Sequence, residues 1–224
     1  MALTISEDDQ AKVAAAIRDA ERRTDGEIAA IVAAASDSYN DVVLHWALLL
    51  ALLPLALAAA FPSILVRATA PLHDWGEAPS LRLLLTALML DMTLNFLVGR
   101  LLFGLAPIRR MLTPAATQAR RVRRSAITLF KAGTERRTAT RTGVLLYLSL
   151  AERRAEIVVD ASIHAKVDDA LWGEAMALLL VAVRDGRPGD GMARAIGRIG
   201  DVLGQHFPHT GTDPNELPDR LILL

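Results

Sequence analysis

The chain contains no cysteine in 224 residues, which excludes a disulfide framework and thiol chemistry while leaving the compartment open. Aromatic residues make up only 4%, too few for the base-stacking platforms on which single-stranded nucleic-acid binders rely. The first residues, MALTISEDDQ, are acidic and polar, where a cleavable signal needs a basic start and an apolar run, so none is expected. No nucleophile elbow, phosphate-binding glycine loop or metalloprotease helix occurs either.

The sequence does hold two long apolar runs joined by a short polar loop. The first, Val42 to Pro62, has no Lys, Arg, Asp or Glu, and its Leu and Ala occupy every side of a helix. That pattern suits lipid better than a half-solvated surface. The second, Leu81 to Leu105, is as long but carries Asp91, Asn95 and Arg100. At about 1.5 Å per residue each run reaches roughly 30 Å, the thickness of a bilayer's hydrocarbon core. Pro54 is expected to kink the first.

The net charge is zero, but its distribution is uneven. Residues 1–41 carry −5, residues 42–104 are balanced, residues 105–154 carry +10 and residues 155–224 carry −5. The basic block follows the second run directly, while the loop between the runs balances Arg67 and Arg82 against Asp74 and Glu77. Positive charge stays on the cytoplasmic side, which predicts a two-pass membrane protein with both termini cytoplasmic.

Ser6 with Asp9 three residues later reads as a helix N-cap, and Thr24-Asp25-Gly26 as that helix's stop. Glu27 to Ser36 reads as a buried strand. After the apolar hairpin, Ala119, Val122, Ala126, Leu129 and Phe130 stripe one face of a basic amphipathic helix. Val144 to Leu150 and Ala155 to Ser162 predict two hairpin-connected strands, the first buried on both faces. Helices are expected from Lys166 to Arg184 and around Met192, Ile196, Ile199 and Leu203; the tail is rich in turn residues and ends apolar. Alternating helices and buried strands predict an α/β layered sandwich. Its two parts, residues 1–41 and 106–224, are separated by an inserted transmembrane hairpin over 42–105.

Candidate chemistry centres on Asp160, His164, Asp168 and Asp169. The first follows a strand's carboxyl end, where open α/β sheets keep ligand sites, and the others lie in the next loop and helix start. Carboxylates with an imidazole suit Ca2+ or Mg2+ or the positioning of a water, and the same residues suit helix capping. His206 and His209 offer a ligand pair or a helix-ending turn. Arg120, Arg121, Arg123 and Arg124, with Arg136, Arg137 and Arg141, form a basic face for anionic lipid headgroups. Nucleic acid is not expected as a partner, because the folded part as a whole is not basic. Asp91 and Asn95 lie one turn apart at membrane depth, suited to a contact with the first span, with a client membrane protein or with a second subunit.

In order, the chain shows T-x-G-E-I, the hairpin, a basic helix, R-T-G-V-L-L-Y-L-S-L-A-E-R-R-A-E-I-V-V-D, a Trp-bearing helix, I-G-R-I-G-D-V-L-G-Q-H-F-P and N-E-L-P-D. This pattern resembles the TPM-domain family, in the bacterial branch where a membrane hairpin splits the domain, often beside LemA-type membrane proteins. The resemblance implies a layered α/β sandwich and, for some members, acid phosphatase activity or calcium binding. Two departures count against an inherited site: Asp160-Ala161-Ser162 replaces a Gly-rich segment, and Thr142-Gly143 replaces an acidic Asp-Asn. The expected function is a membrane-anchored, non-catalytic interaction module for assembly or maintenance of envelope membrane proteins. The alternative is a metal-assisted acid phosphatase using Asp160 and Asp168.

Overall fold

The computed structural model describes residues 4–72, 78–133, 142–210 and 217–224, the side chain of Asp169 excepted. Two compact units result: residues 1–37 with 115–224, and residues 38–114.

The first unit is an α/β sandwich. Helix α1 (Glu7–Glu21) begins at a complete capping box, in which Ser6 accepts the Asp9 N–H and the Asp9 carboxylate accepts the Ser6 N–H. These two bonds satisfy donors that every helix start leaves open. Strand β1 (Glu27–Ala33) follows, buried at every residue. Beyond the second unit come α6 (Ala115–Gly133), β2 (Gly143–Ser149), β3 (Arg154–Val159), α7 (Ala161–His164), α8 (Asp169–Arg184), α9 (Pro188–His206) and β4 (Leu221–Leu223).

The sheet order is β3-β2-β1-β4. Strands β1 and β2 run parallel from Glu27↔Gly143 to Ala33↔Ser149, β4 runs parallel to β1, and β3 runs antiparallel to β2. Alternate residues feed two cores. Ile28, Ala30, Val32, Val144, Leu146 and Leu148 pack with α1, α8 and α9, while Ala29, Ile31, Leu145 and Tyr147 pack under Val122, Ala126 and Phe130 of α6. With both faces covered, the central strands lose the polar alternation of a half-solvated sheet, as their sequences foretell.

Three sequence expectations need correction. The apolar tail is a strand, β4. The helix expected from Lys166 starts at Asp169 as α8, after a separate one-turn helix, α7. The strand expected to reach Ser162 stops at Val159, because Asp160 turns its backbone into α7.

The second unit holds α2 (Asn40–Ala60), α3 (Pro62–Thr69), a single 3-10 turn, α4 (Leu81–Gly104) and α5 (Ala106–Leu112). Both α2 and α4 are long and apolar enough to cross a membrane. Pro54 lies inside α2. The two helices pack closely where Gly99 faces Ala47: a Cβ at Gly99 would lie 3.1 Å from the Ala47 Cα. Small residues at such a crossing are what lets helices associate in lipid.

Glycine also sets the packing of α1 on α9. A Cβ at Gly200 would stand 2.5 Å from the Ala20 Cβ and 3.0 Å from its Cα, whereas one at Gly197 would meet nothing within 4 Å. Gly200→Ala is therefore expected to lower stability by about 1–3 kcal/mol through overpacking. Gly197→Ala should raise it by roughly 0.5–1 kcal/mol, because only the helix backbone entropy changes. Thermal unfolding of the two variants checks the opposite signs.

Candidate functional site

Because β3 runs against its neighbours, its carboxyl end lies at the amino ends of β1 and β2. Asp160 therefore sits opposite the end at which open parallel sheets keep their ligands. That corrects the ground on which sequence reasoning chose it. The Asp160 side chain is buried, and its Oδ2 accepts the Gly143 N–H at 2.8 Å.

Several acidic groups share this end of the sheet. The Glu21 Oε1 accepts the Ile28 N–H at 3.0 Å, and the Glu27 Oε2 accepts the Leu217 N–H at 3.0 Å. Asp25 accepts the Thr210 N–H at 2.8 Å and the Thr210 hydroxyl at 2.6 Å, and pairs with His209 Nδ1 at 3.0 Å. The Thr142 hydroxyl donates to the Asp25 carbonyl at 3.0 Å, and the Thr24 hydroxyl to the Phe207 carbonyl at 2.6 Å. Sequence reading missed this cluster, although Glu27 lies within the T-x-G-E-I motif. Its signal was the density of acidic residues bracketing a strand start.

A crevice of about 290 Å³ opens here, lined by Arg18, Glu21, Arg22, Glu27, His209 and Asp219 among others. Burial pushes the Glu21 carboxyl up to about 8, helped by the nearby carboxylates of Glu27 and Asp219 and opposed by the bond from Ile28 N–H. The Thr210 bonds, with a smaller contribution from His209, hold Asp25 below the usual carboxylate range. Chemically, each of these groups holds a piece of backbone: a strand start, a turn or the chain after α9.

His164 is exposed on α7, and Asp168 caps α8 by accepting the Ala170 N–H at 2.9 Å. The Asp169 side chain lies outside the described residues. Among the described residues no group of three or more His, Asp or Glu side chains is placed to hold a metal ion. His206 ends α9, and His209 is engaged by Asp25.

The arginine face is divided. Arg121 pairs with Asp37 at 3.0 Å, Arg123 borders a groove beside Glu156, and Arg120 and Arg124 project from α6 one turn apart. Arg136, Arg137 and Arg141 lie outside the described residues. In the second unit, the Asn95 side-chain amide donates to Asp91 Oδ1 at 3.0 Å and to its carbonyl at 2.8 Å. The two line a mainly apolar crevice of about 300 Å³ with residues of α2 and α3, such as Leu57 and Ile64. Their polarity is thus satisfied largely within α4, as lipid would require.

Comparison with known proteins adds three findings. A family model for the TPM domain matches residues 109–202. The solved structure of BA42 protein from the psychrophilic bacterium Bizionia argentinensis superposes with a TM-score of 0.57 at 17% identity, covering 98% of this chain and 95% of that one. No curated protein matches the sequence.

The raised Glu21 carboxyl has a signed effect on stability. The folded chain keeps that proton to about pH 8, while the unfolded chain releases it near 4.5. The contribution is therefore whole at low pH and is lost as pH rises through that interval. Glu21→Gln stays neutral, so its melting temperature should fall less than the parent's over the same interval. Parallel pH profiles for the two proteins would defeat the assignment.

Proposed function

We propose that the TPM domain carried by this chain works as a membrane-anchored, non-catalytic interaction module acting on other membrane proteins of the envelope. The supporting observation is the surface of α2 and α4. Leu48, Leu49 and Leu53 on one helix, and Leu85, Met89, Leu90, Leu94, Leu97 and Leu101 on the other, are all exposed, Leu101 to 73%. An apolar surface of that extent is unfavourable in water and favourable in lipid.

The sheet supports an even number of crossings. Strands β1 and β2 pair directly although the apolar hairpin lies between them in sequence. Both must stand on one side of a bilayer, as two spans require. The basic residues after α4 favour the cytoplasm for that side. On this reading Arg120 and Arg124 meet anionic headgroups, at about 1 kcal/mol each. The carboxylates at the amino ends of the strands serve the fold, which favours a binding role over phosphomonoester hydrolysis.

Since the chain has no native cysteine, single substitutions report topology cleanly. An impermeant maleimide is expected to label Asp74→Cys in intact spheroplasts and Arg220→Cys only after lysis. The reverse pattern would overturn the orientation, and labelling of both in intact spheroplasts would overturn the anchoring.

A second prediction concerns the headgroups. With the full chain in nanodiscs, phosphatidylglycerol should slow amide exchange in α6 relative to phosphatidylcholine alone. Arg120→Glu with Arg124→Glu should abolish that difference, a change of about 2 kcal/mol in headgroup attraction. An unaltered difference in the double variant would remove these two residues from the lipid contact.

A further inference from the structure

Strand β3 leaves one edge of the sheet open. Among the described residues it pairs with β2 alone. The Asp160 N–H bonds the Gly143 carbonyl at 3.0 Å, and the register continues through Val144↔Val159 and Leu145↔Val158. Antiparallel pairing alternates bonded and non-bonded positions. Arg154, Glu156 and Val158 therefore turn their backbone groups to β2, and Ala155, Ile157 and Val159 turn theirs outward. Those three have no backbone partner on the outer side among the described residues.

A groove of about 420 Å³ follows this edge. Its floor is Glu156 to Val159; Arg123 and Ile127 of α6 form one wall, and Trp172 and Met176 of α8 form the other. The two walls differ in chemistry. On the α6 side Arg123 and Arg154 act on Glu156, pulling down a carboxyl that burial pushes up, and Arg120 lies one turn before Arg123. The balance there is cationic. The α8 wall is apolar, His164 of α7 also lines the groove, and among the described residues the buried Trp172 indole N–H has no partner.

We propose that β3 accepts a fifth strand, an extended segment of a partner polypeptide in which acidic and apolar residues alternate. Its backbone bonds the outward groups of Ala155, Ile157 and Val159. Side chains of a strand point alternately to opposite faces, so its acidic residues meet Arg123 and Arg154 while its apolar residues meet Trp172 and Met176. Backbone pairing supplies the attachment and the two walls supply selectivity, as in other strand-addition sites. A second copy of this chain is a poorer occupant, because pairing β3 with β3 brings one cationic flank toward another. The proposal rests on the interaction reading above and names the partner's chemistry; it does not depend on the bilayer.

The test uses the full chain in detergent and the anisotropy of a labelled decapeptide alternating Glu and Val. Saturable binding is expected. It should weaken about tenfold or more when alternate backbone amides of the peptide are N-methylated, since the ladder bonds are then lost. It should weaken comparably when Lys replaces Glu, and Arg123→Glu should reverse the preference between the Glu and Lys peptides. Equal binding of the N-methylated peptide would overturn strand addition, and an unchanged preference in Arg123→Glu would overturn the charge assignment. No binding of any peptide by chain whose melting transition is intact would overturn the proposal. Light scattering that shows a dimer, with peptide binding restored only on its dissociation, would make the second copy the occupant and equally overturn it. In each of these cases the maleimide pattern still decides the membrane reading separately.

Discussion

The parallel pairing of β1 with β2 is the constraint on which the rest of the structure depends. Seven consecutive residues of each strand are in register and all are buried. Yet the chain between Ala33 and Gly143 holds an entire second unit. Loop closure makes this affordable, since the entropic cost grows only logarithmically, by about 0.6 kcal/mol for each doubling of length. The inserted unit must, however, return the chain to where it left. Two long antiparallel helices do that where one could not.

The same pairing explains the polar groups at the strands' amino ends. Parallel strands that start at one edge present unpaired backbone donors there, and buried donors need partners. Glu21 takes the Ile28 N–H, Asp160 takes the Gly143 N–H, and Glu27 takes the Leu217 N–H shortly before β4. These carboxylates are thus occupied by the architecture. Asp160, read in the sequence as a candidate metal ligand, is one of these backbone clamps beside Glu21 and Glu27.

Much of the fold was legible in the sequence because the decisive patterns are local. The capping box at Ser6 and Asp9, the continuous apolar runs of β1 and β2, and the α6 stripe through Val122, Ala126 and Phe130 each follow from spacing alone. The layered α/β sandwich followed from their order. Position within the sheet was not legible. Three residues of β4 carry no period that separates a strand from an apolar tail. The hairpin set β3 against β2, but nothing in the sequence says that β1 and β4 run with β2, and that pairing put Asp160 at the amino ends of the parallel strands. The arginines illustrate the same limit: Arg121 and Arg123 are equivalent by composition, but Asp37 pairs with one and Glu156 lies beside the other.

The two sheet edges are treated differently, and the difference bears on what the domain does. Strand β4 is only three residues long, and short edge strands discourage uncontrolled pairing. Strand β3 is six residues long and carries Arg154 and Glu156 on its α6-facing side. Charged side chains at an edge must lose water when another sheet packs against it, which guards against uncontrolled association. They do not repel a strand of complementary charge, and the walls formed by α6 and α8 admit one strand without admitting a second sheet. An edge guarded only against aggregation needs charge alone. The β3 edge also has an apolar wall and a buried indole donor without a partner, and these confer selectivity only when a strand lies against them.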